Sequence, residues 1–454
     1  MSRNSSVRQS LEAALHPLAM MQGVLLLSSS SPTRFPSDMR AGQGPTRRWL
    51  ACVARLLEPL AVQPVRLARG SALGLACAAS CAVAQEAPWR APLLADLREV
   101  ARTQAEAHGL QLGVHVRDLD SGVSANWGGK RSWYLASMVK VPVAIAVLKA
   151  VDDGVVTLDT QLTVRASDYV DGAGSTNAAS VGTPLSVRFL IEQMIIHSDN
   201  TASDMLIDLV GLDAINALVR QHVPEGMQRI TTLAEVRRQV YGRLTPEASH
   251  LAGQALLRIH RERGDAARMQ RVAQITGVPV AQFRMKSLEQ AYQDYYAGQL
   301  NSGQLDAYGD LLAQLVQGSL LSRASTAHLL GVMERVVTGP NRLRAGLPAH
   351  VRLAHKTGTQ RARICDGGVA RVSQQAGPAR RVLIVACVSG AGPRVQAERA
   401  LAHTAAAVCR SGLLASGDSH AFACPSPPSS RPSSRPSSAS AGAGHAAAGT
   451  ASED

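Results

Sequence analysis

The stretch LASMVKVPVAIAVLKAVDDG, from Leu135 to Gly154, constrains this chain more than any other. Val139, Val141, Val143, Ala144, Ile145, Val147 and Leu148 leave almost no polar face, so the segment reads as a helix that is apolar all round and belongs in the core. Into that helix the sequence places Lys140, three residues after Ser137. Residues at i and i+3 share one helical face, so hydroxyl and amine can meet if the helix begins near Ser137. A serine beside an amine is a nucleophile with its base. The bland alternative makes Ser137 a helix N-cap and Lys140 a solvated surface residue. Lysine usage argues against it: the chain holds five, Lys130, Lys140, Lys149, Lys286 and Lys356, among 47 basic residues that are otherwise arginine. Where arginine is the default cation, a lysine marks a place that needs a compact amine able to lose its proton.

The two ends differ in composition from the middle. Residues 1–64 mix Ser, Pro and Arg without a sustained period, and are expected to be disordered or an over-extended reading of the gene. Residues 65–84, VRLARGSALGLACAASCAVA, carry Arg66 and Arg69, a short apolar run and small residues before Gln85. This is the pattern of a secretory signal, too short to span a bilayer as a helix. A secreted or periplasmic protein is therefore expected, with lipidation at Cys81 a weaker alternative. Residues 425–454, rich in Pro, Ser and Ala, are expected to form a disordered tail.

Removing the +6 of residues 1–84 and the net-neutral tail leaves +7 of the total +13. That charge is spread without a cationic run, and aromatic residues make up 3% of the chain, so nucleic acid is not an expected partner. Of the seven cysteines, Cys365, Cys387, Cys409 and Cys424 lie beyond the signal. Four cysteines allow three pairings, and no C-x-x-C spacing points to a metal. No metal and no cofactor are expected.

Between the ends, Leu93 to His108 has helical spacing and GLQLGVHVRDLDSG alternates as a strand. Residues 156–345 hold mostly helical patterns. VRLAHKTGTQ, ARICDGGVARV and RRVLIVACVSG read as late strands, followed by a closing helix. The expected fold is α/β plus all-α: an antiparallel sheet built from both chain ends, 90–155 and 346–413, with flanking helices and an inserted helical part at 156–345.

Two more motifs complete a set. HSDNTASDML supplies Ser198, Asp199 and Asn200, and LAHKTGTQ supplies Lys356, Thr357 and Gly358. S-x-x-K, S-D-N and K-T-G in this order mark class A β-lactamases and penicillin-binding proteins. The chain resembles class A β-lactamases over roughly residues 93–412, in LASMVKVPVAIAVL, HSDNTASDMLI and GPNRLRAGLPAHVRLAHKTGT. The resemblance implies a β-lactamase-like two-part fold and a monomer that opens β-lactam rings, with the small-molecule substrate as partner and no stable membrane insertion. By motif, Ser137 is the acylated nucleophile and Lys140 its activating amine. Ser198 passes a proton to the leaving nitrogen, and Asn200 binds the acyl-amide side chain and helps place Lys140. Lys356 and Thr357 receive the substrate carboxylate, with Gly358 between them and Thr359. The N–H groups of Ser137 and Thr359 form the oxyanion hole. Strand alternation through Thr357 and Thr359 would put Arg361 and Arg363 on the same face, offering a second cation to a carboxylate or lying solvated.

The chain departs from the pattern in the loop that carries the family's deacylating glutamate. The candidate is Glu235 in RITTLAEVRRQVYG, with Gln239 where an asparagine is expected. Glu235 as a surface residue of an extra helix is the competing reading. Residues of about 237–286 match nothing in the family, look helical and amphipathic, and would remodel the loop. The aromatic residue at the cleft mouth is also missing, since DYVDGAGST offers Gly172 and Ala173. A β-lactam hydrolase, a D-alanyl-D-alanine peptidase or penicillin-binding hydrolase, and a penicillin sensor that stays acylated all remain open.

Overall fold

The computed structural model describes residues 87–415 except 375–376, together with Cys424 and Pro425. The expectations for residues 1–64, for the signal and, Pro425 apart, for the tail fall outside the described residues.

Five strands form one antiparallel sheet: β1 (Gln111–Asp118), β2 (Ser124–Trp127), and three late strands in the spatial order β2, β1, last, middle, first. The late strands run Arg352–Gln360, Arg363–Val372 and Arg380–Ser389. The last of them pairs with β1 from Gln111↔Ser389 to Asp118↔Val382, so both chain ends meet at the centre of the sheet. Its sequence, RRVLIVACVS, shows why it can lie there. Successive side chains of a strand point to opposite faces, and both faces of this strand are covered. Val382, Ile384, Ala386 and Val388 pack with Leu93, Leu97, Ala400, Leu401 and Ala405 of two outer helices, α1 (Arg90–His108) and a closing helix at Arg394–Arg410. Leu383, Val385 and Cys387 face the helical part.

The helical part is wrapped around α2 (Lys140–Asp152), where Lys140 to Leu148 and Ala150 are all buried. Helices α3 (Val187–Ile196), α4 (Asn200–Val210) and α5 (Leu212–His222) surround it. Full burial of each Val, Leu or Ile is worth about 1.5–3 kcal/mol, so an all-apolar helix is stable only where neighbours enclose it. Four cysteines pair as Cys365–Cys387, directly opposite on adjacent strands, and Cys409–Cys424.

Residues 233–297 fold as a helical subdomain. It contains α6 (Leu233–Leu244), α7 (Gly253–His260), α8 (Asp265–Thr276) and α9 (Leu288–Ala297). Val240, Leu244, Leu256, Ile259, Val272 and Phe283 form its core with Tyr134, Tyr292, Tyr295 and Tyr296. Helix α10 (Leu305–Gln317) then returns against the sheet, and α11 (Arg323–Met333) and α12 (Leu343–Gly346) lead into the late strands. In chain order these strands are β7, β8 and β9, and the closing helix is α13. Two-stranded pairs of β4 (Gln161–Thr163) with β5 (Pro184–Ser186), and of β3 (Trp133–Tyr134) with β6 (Ser302–Gly303), complete the strands of the described residues.

Candidate active site

Ser137 lies on a single 3₁₀ turn, Ala136–Val139, that precedes α2. The N-cap of α2 is Val139 and no side chain caps it, so Ser137 is not held there as a helix cap. Ala136 adopts φ 47°, a left-handed conformation that costs a non-glycine residue about 1–2 kcal/mol and persists only where surroundings enforce it. Two contacts brace the turn. The Tyr308 hydroxyl donates to the Met138 carbonyl at 3.0 Å, and β7 presses against the turn at Gly358, where a Cβ would lie 2.2 Å from the Leu135 carbonyl oxygen. Glycine is required at this crossing, which brings the K-T-G strand beside the half-buried Ser137.

Lys140 is fully buried, unlike the solvated lysine of the bland reading. Its Nζ donates to the Ser198 carbonyl at 2.5 Å and to Asn200 Oδ1 at 2.7 Å, and lies 3.3 Å from Ser198 Oγ. Lys356, also fully buried, places its Nζ 3.0 Å from the same Ser198 Oγ and 3.1 Å from the Thr357 carbonyl. One hydroxyl thus bridges two amines from different layers of the fold. Ser198 sits at φ 62° in front of α4, whose N-cap is Asp199. The Asp199 carboxylate accepts from Ala202 N at 2.9 Å and Thr176 N at 2.8 Å, fixing the motif to the loop across from it. A hydroxyl between two amines can move a proton, because one nitrogen can donate to the oxygen while the oxygen donates onward.

Arg342 also belongs to this region, although none of the three motifs contains it. It lies in the turn before α12, is fully buried, and reaches under the K-T-G strand. Its guanidinium donates to the carbonyls of Gly358 at 3.2 Å and Cys365 at 3.1 Å, to Thr359 Oγ1 at 2.7 Å, and to Glu398 at 3.3 Å. Beside it Thr357 Oγ1 and Thr338 Oγ1 are 2.5 Å apart. A positive charge beneath a ledge of threonine hydroxyls suits a carboxylate. Arg342→Met is expected to cost about 2–4 kcal/mol by urea denaturation, since the buried carbonyls of Gly358 and Cys365 and the half-buried Thr359 hydroxyl each lose a donor, while Glu398 is left with Arg394.

Arg361 requires a correction. Strand β7 ends at Gln360, Arg361 occupies the turn at φ 48°, and Arg363 begins β8, so the two arginines do not continue the Thr357–Thr359 face. Arg361 pairs with Asp265 at 2.7 Å and Glu289 at 3.3 Å, with its guanidinium 4.3 Å from the Tyr292 ring centre. Arg363 stacks 3.6 Å over Tyr296. The helical subdomain has taken up both cations by charge pairing and stacking.

Glu235 stands in the first turn of α6, half-buried rather than on an exposed surface. Thr232 Oγ1 accepts from its N–H at 3.0 Å. Its Oε1 accepts from Gln239 Nε2 at 2.8 Å, and Gln239 Oε1 accepts in turn from Arg243 at 3.1 Å. The same helix end rests on Asp204 of α4, whose carboxylate accepts from Leu233 N at 2.7 Å and Ala234 N at 2.8 Å. Burial pushes the Asp204 carboxyl up to about 6, against these two donors and the nearby Lys140 charge. Asp204 therefore ties the helix bearing Glu235 to the helix bearing Asn200.

The sequence profile of the β-lactamase enzyme family matches residues 93–411. The chain belongs to the β-lactamase enzyme family. It is 32% identical to a β-lactamase of Rhodobacter capsulatus over 146 residues, which are 32% of this chain and about half, 47%, of that relative. A variant of the class A β-lactamase of the last common ancestor of Gram-negative bacteria superposes with a TM-score of 0.51 at 25% identity, over 70% of this chain and 97% of the other. A variant of PBP-A, seen as its acyl-enzyme with penicillin G, superposes at 0.50 with 22% identity, over 70% of this chain and 96% of the other. The chain is thus a serine hydrolase of the β-lactamase fold.

Proposed function

We propose that the protein hydrolyses β-lactams in the manner of class A enzymes, through an acyl-enzyme on Ser137. The observation that carries this reading is the Ser198 hydroxyl held between Lys140 and Lys356, with Lys140 also bound by Asn200. Lys140 as a free amine takes the Ser137 proton as Oγ attacks the lactam carbonyl. The oxyanion is received by the N–H groups of Ser137 and Thr359, each donor being worth about 3 kcal/mol. The proton passes through Ser198 to the lactam nitrogen as the C–N bond breaks. Lys356, Thr357 and the buried Arg342 supply the charge and hydroxyls for the substrate carboxylate, while Asn200 meets the acyl-amide group. A water deprotonated by Glu235 then attacks the ester and releases Ser137, returning the proton balance to its start.

A second reading, a penicillin-binding peptidase or a sensor that remains acylated, draws support from the Glu235–Gln239 bond, which engages the carboxylate within its own helix. Turnover of a chromogenic cephalosporin separates the readings. Many turnovers support hydrolysis, and one stoichiometric burst supports the sensor. Activity confined to D-Ala-D-Ala peptides supports the peptidase. Glu235→Gln keeps the side-chain shape and removes the base, so deacylation should slow by about 10²- to 10⁴-fold and an adduct on Ser137 should accumulate in intact-protein mass spectra. Turnover equal to the parent's would remove Glu235 from the mechanism.

A further inference from the structure

The loop Tyr169–Gly174 stands where the family's aromatic is missing, and it touches both the S-D-N helix and the helical subdomain. On the catalytic side, the Asp171 carbonyl accepts from Asn200 Nδ2 at 2.5 Å, and Asn200 Oδ1 accepts from Lys140 Nζ at 2.7 Å. Thr201 clasps the preceding residue, accepting from Val170 N at 2.9 Å and donating to Val170 O at 3.1 Å. Gly172, at φ 126°, lies so close that a Cβ would be 2.3 Å from Asn200 Nδ2. On the other side, the Asp171 carboxylate points into the subdomain and its side chain is 3% exposed. Arg237 Nε of α6 contacts both of its oxygens, at 2.8 and 2.9 Å, and His260 Nδ1 of α7 lies 3.3 Å from Oδ2. Arg237 is braced in turn by the Tyr292 hydroxyl at 3.1 Å, and α7 starts against this loop, with Gly253 directly over the Tyr169 carbonyl.

We infer that Arg237 and His260 of the inserted subdomain, acting through Asp171, are positioning residues for Asn200 and therefore for the amine of Lys140. Two observations favour this over a purely structural ion pair. The carboxylate and the carbonyl that holds Asn200 belong to one residue, so a shift of the side-chain anchor is passed to the carbonyl within a few bonds. Beyond that carbonyl the chain is continuous by hydrogen bonds to Lys140, with no flexible side chain in between except Asn200 itself. Burial alone would push the Asp171 carboxyl up, yet the Arg237 guanidinium, with the His260 imidazole beside it, holds it at about 2, so the anchor is an ionised carboxylate. The subdomain thus contributes to the active site without placing a residue against substrate. This inference rests on the reading of Lys140 as the base for Ser137.

The test uses two variants of the full chain, Asp171→Asn and His260→Gln, the second leaving the Arg237–Asp171 pair intact should the first fold poorly. Misplacement of a catalytic group by about 1 Å costs on the order of 100-fold. Asp171→Asn is expected to slow acylation by benzylpenicillin about 10- to 100-fold in stopped-flow measurements, and His260→Gln less. In an Asn200→Ala background the additional loss should vanish, because the route to Lys140 is already cut. A structural ion pair would instead give losses that multiply. A second readout needs no substrate: with five lysines in the chain, ¹³C-lysine labelling resolves Lys140, and its Cε resonance should move in both variants. An unmoved Lys140 resonance, or multiplicative losses, would overturn the inference. A parent that benzylpenicillin does not acylate would overturn the β-lactam reading instead, while the resonance still decides the role of Asp171.

Discussion

Alanine at Ser137 is expected to leave a folded protein that no penicillin labels. The serine is half-buried on a 3₁₀ turn and caps no helix, so its hydroxyl adds little to packing. The turn itself is held by Tyr308 on one side and by Gly358 against the Leu135 carbonyl on the other, and both supports survive the substitution. The melting temperature should stay within a few degrees of the parent's, because a change without cavity or lost cap is usually within about 0.5 kcal/mol. Labelling should fall to zero, since no other group replaces the oxygen that forms the ester. Fluorescent penicillin followed by gel imaging reads this directly, and full-stoichiometry labelling of the variant would show that a different serine is acylated.

Arginine at Lys140 is expected to be nearly as damaging, although both residues are basic. A guanidinium stays protonated at any accessible pH and cannot accept the Ser137 proton. General-base assistance of this kind is worth about 10²- to 10⁴-fold, which sets the expected fall in the acylation rate. Shape adds a second cost. The lysine is fully buried with its amine placed among the Ser198 carbonyl, Ser198 Oγ and Asn200 Oδ1, a site sized for a compact amine rather than a planar fork. Stopped-flow acylation with a parallel thermal melt separates the two costs. An arginine variant that folds and acylates at the parent's rate would remove the amine from the mechanism.

Much of this was determined by the sequence alone. The apolar run after Ser137 requires a central helix, because no surface position tolerates it, and α2 is buried along nearly its whole length. The run RRVLIVACVS requires a strand covered on both faces, and it lies at the middle of the sheet. The three short motifs were legible as candidates for the chemistry because each carries its reactive atoms within a few residues. What the tertiary structure decided are contacts between groups far apart along the chain. Ser198 bridges Lys140 across 58 residues and Lys356 across 158, and local periodicity holds no information about such distances. Arg342 gives no periodic signal that separates it from a solvated arginine; its burial beneath Thr359 follows from how α12 meets the sheet. Arg361 shows the opposite case. Alternation offered it to a substrate carboxylate, but one left-handed turn residue redirected the chain, and Asp265 and Glu289 of the subdomain were closer. The pairing of Cys365 with Cys387 was likewise one of several until strand register set the two opposite each other. Charges and thiols are satisfied by whichever partner folding brings within reach, and that choice is made by packing rather than by neighbours in sequence.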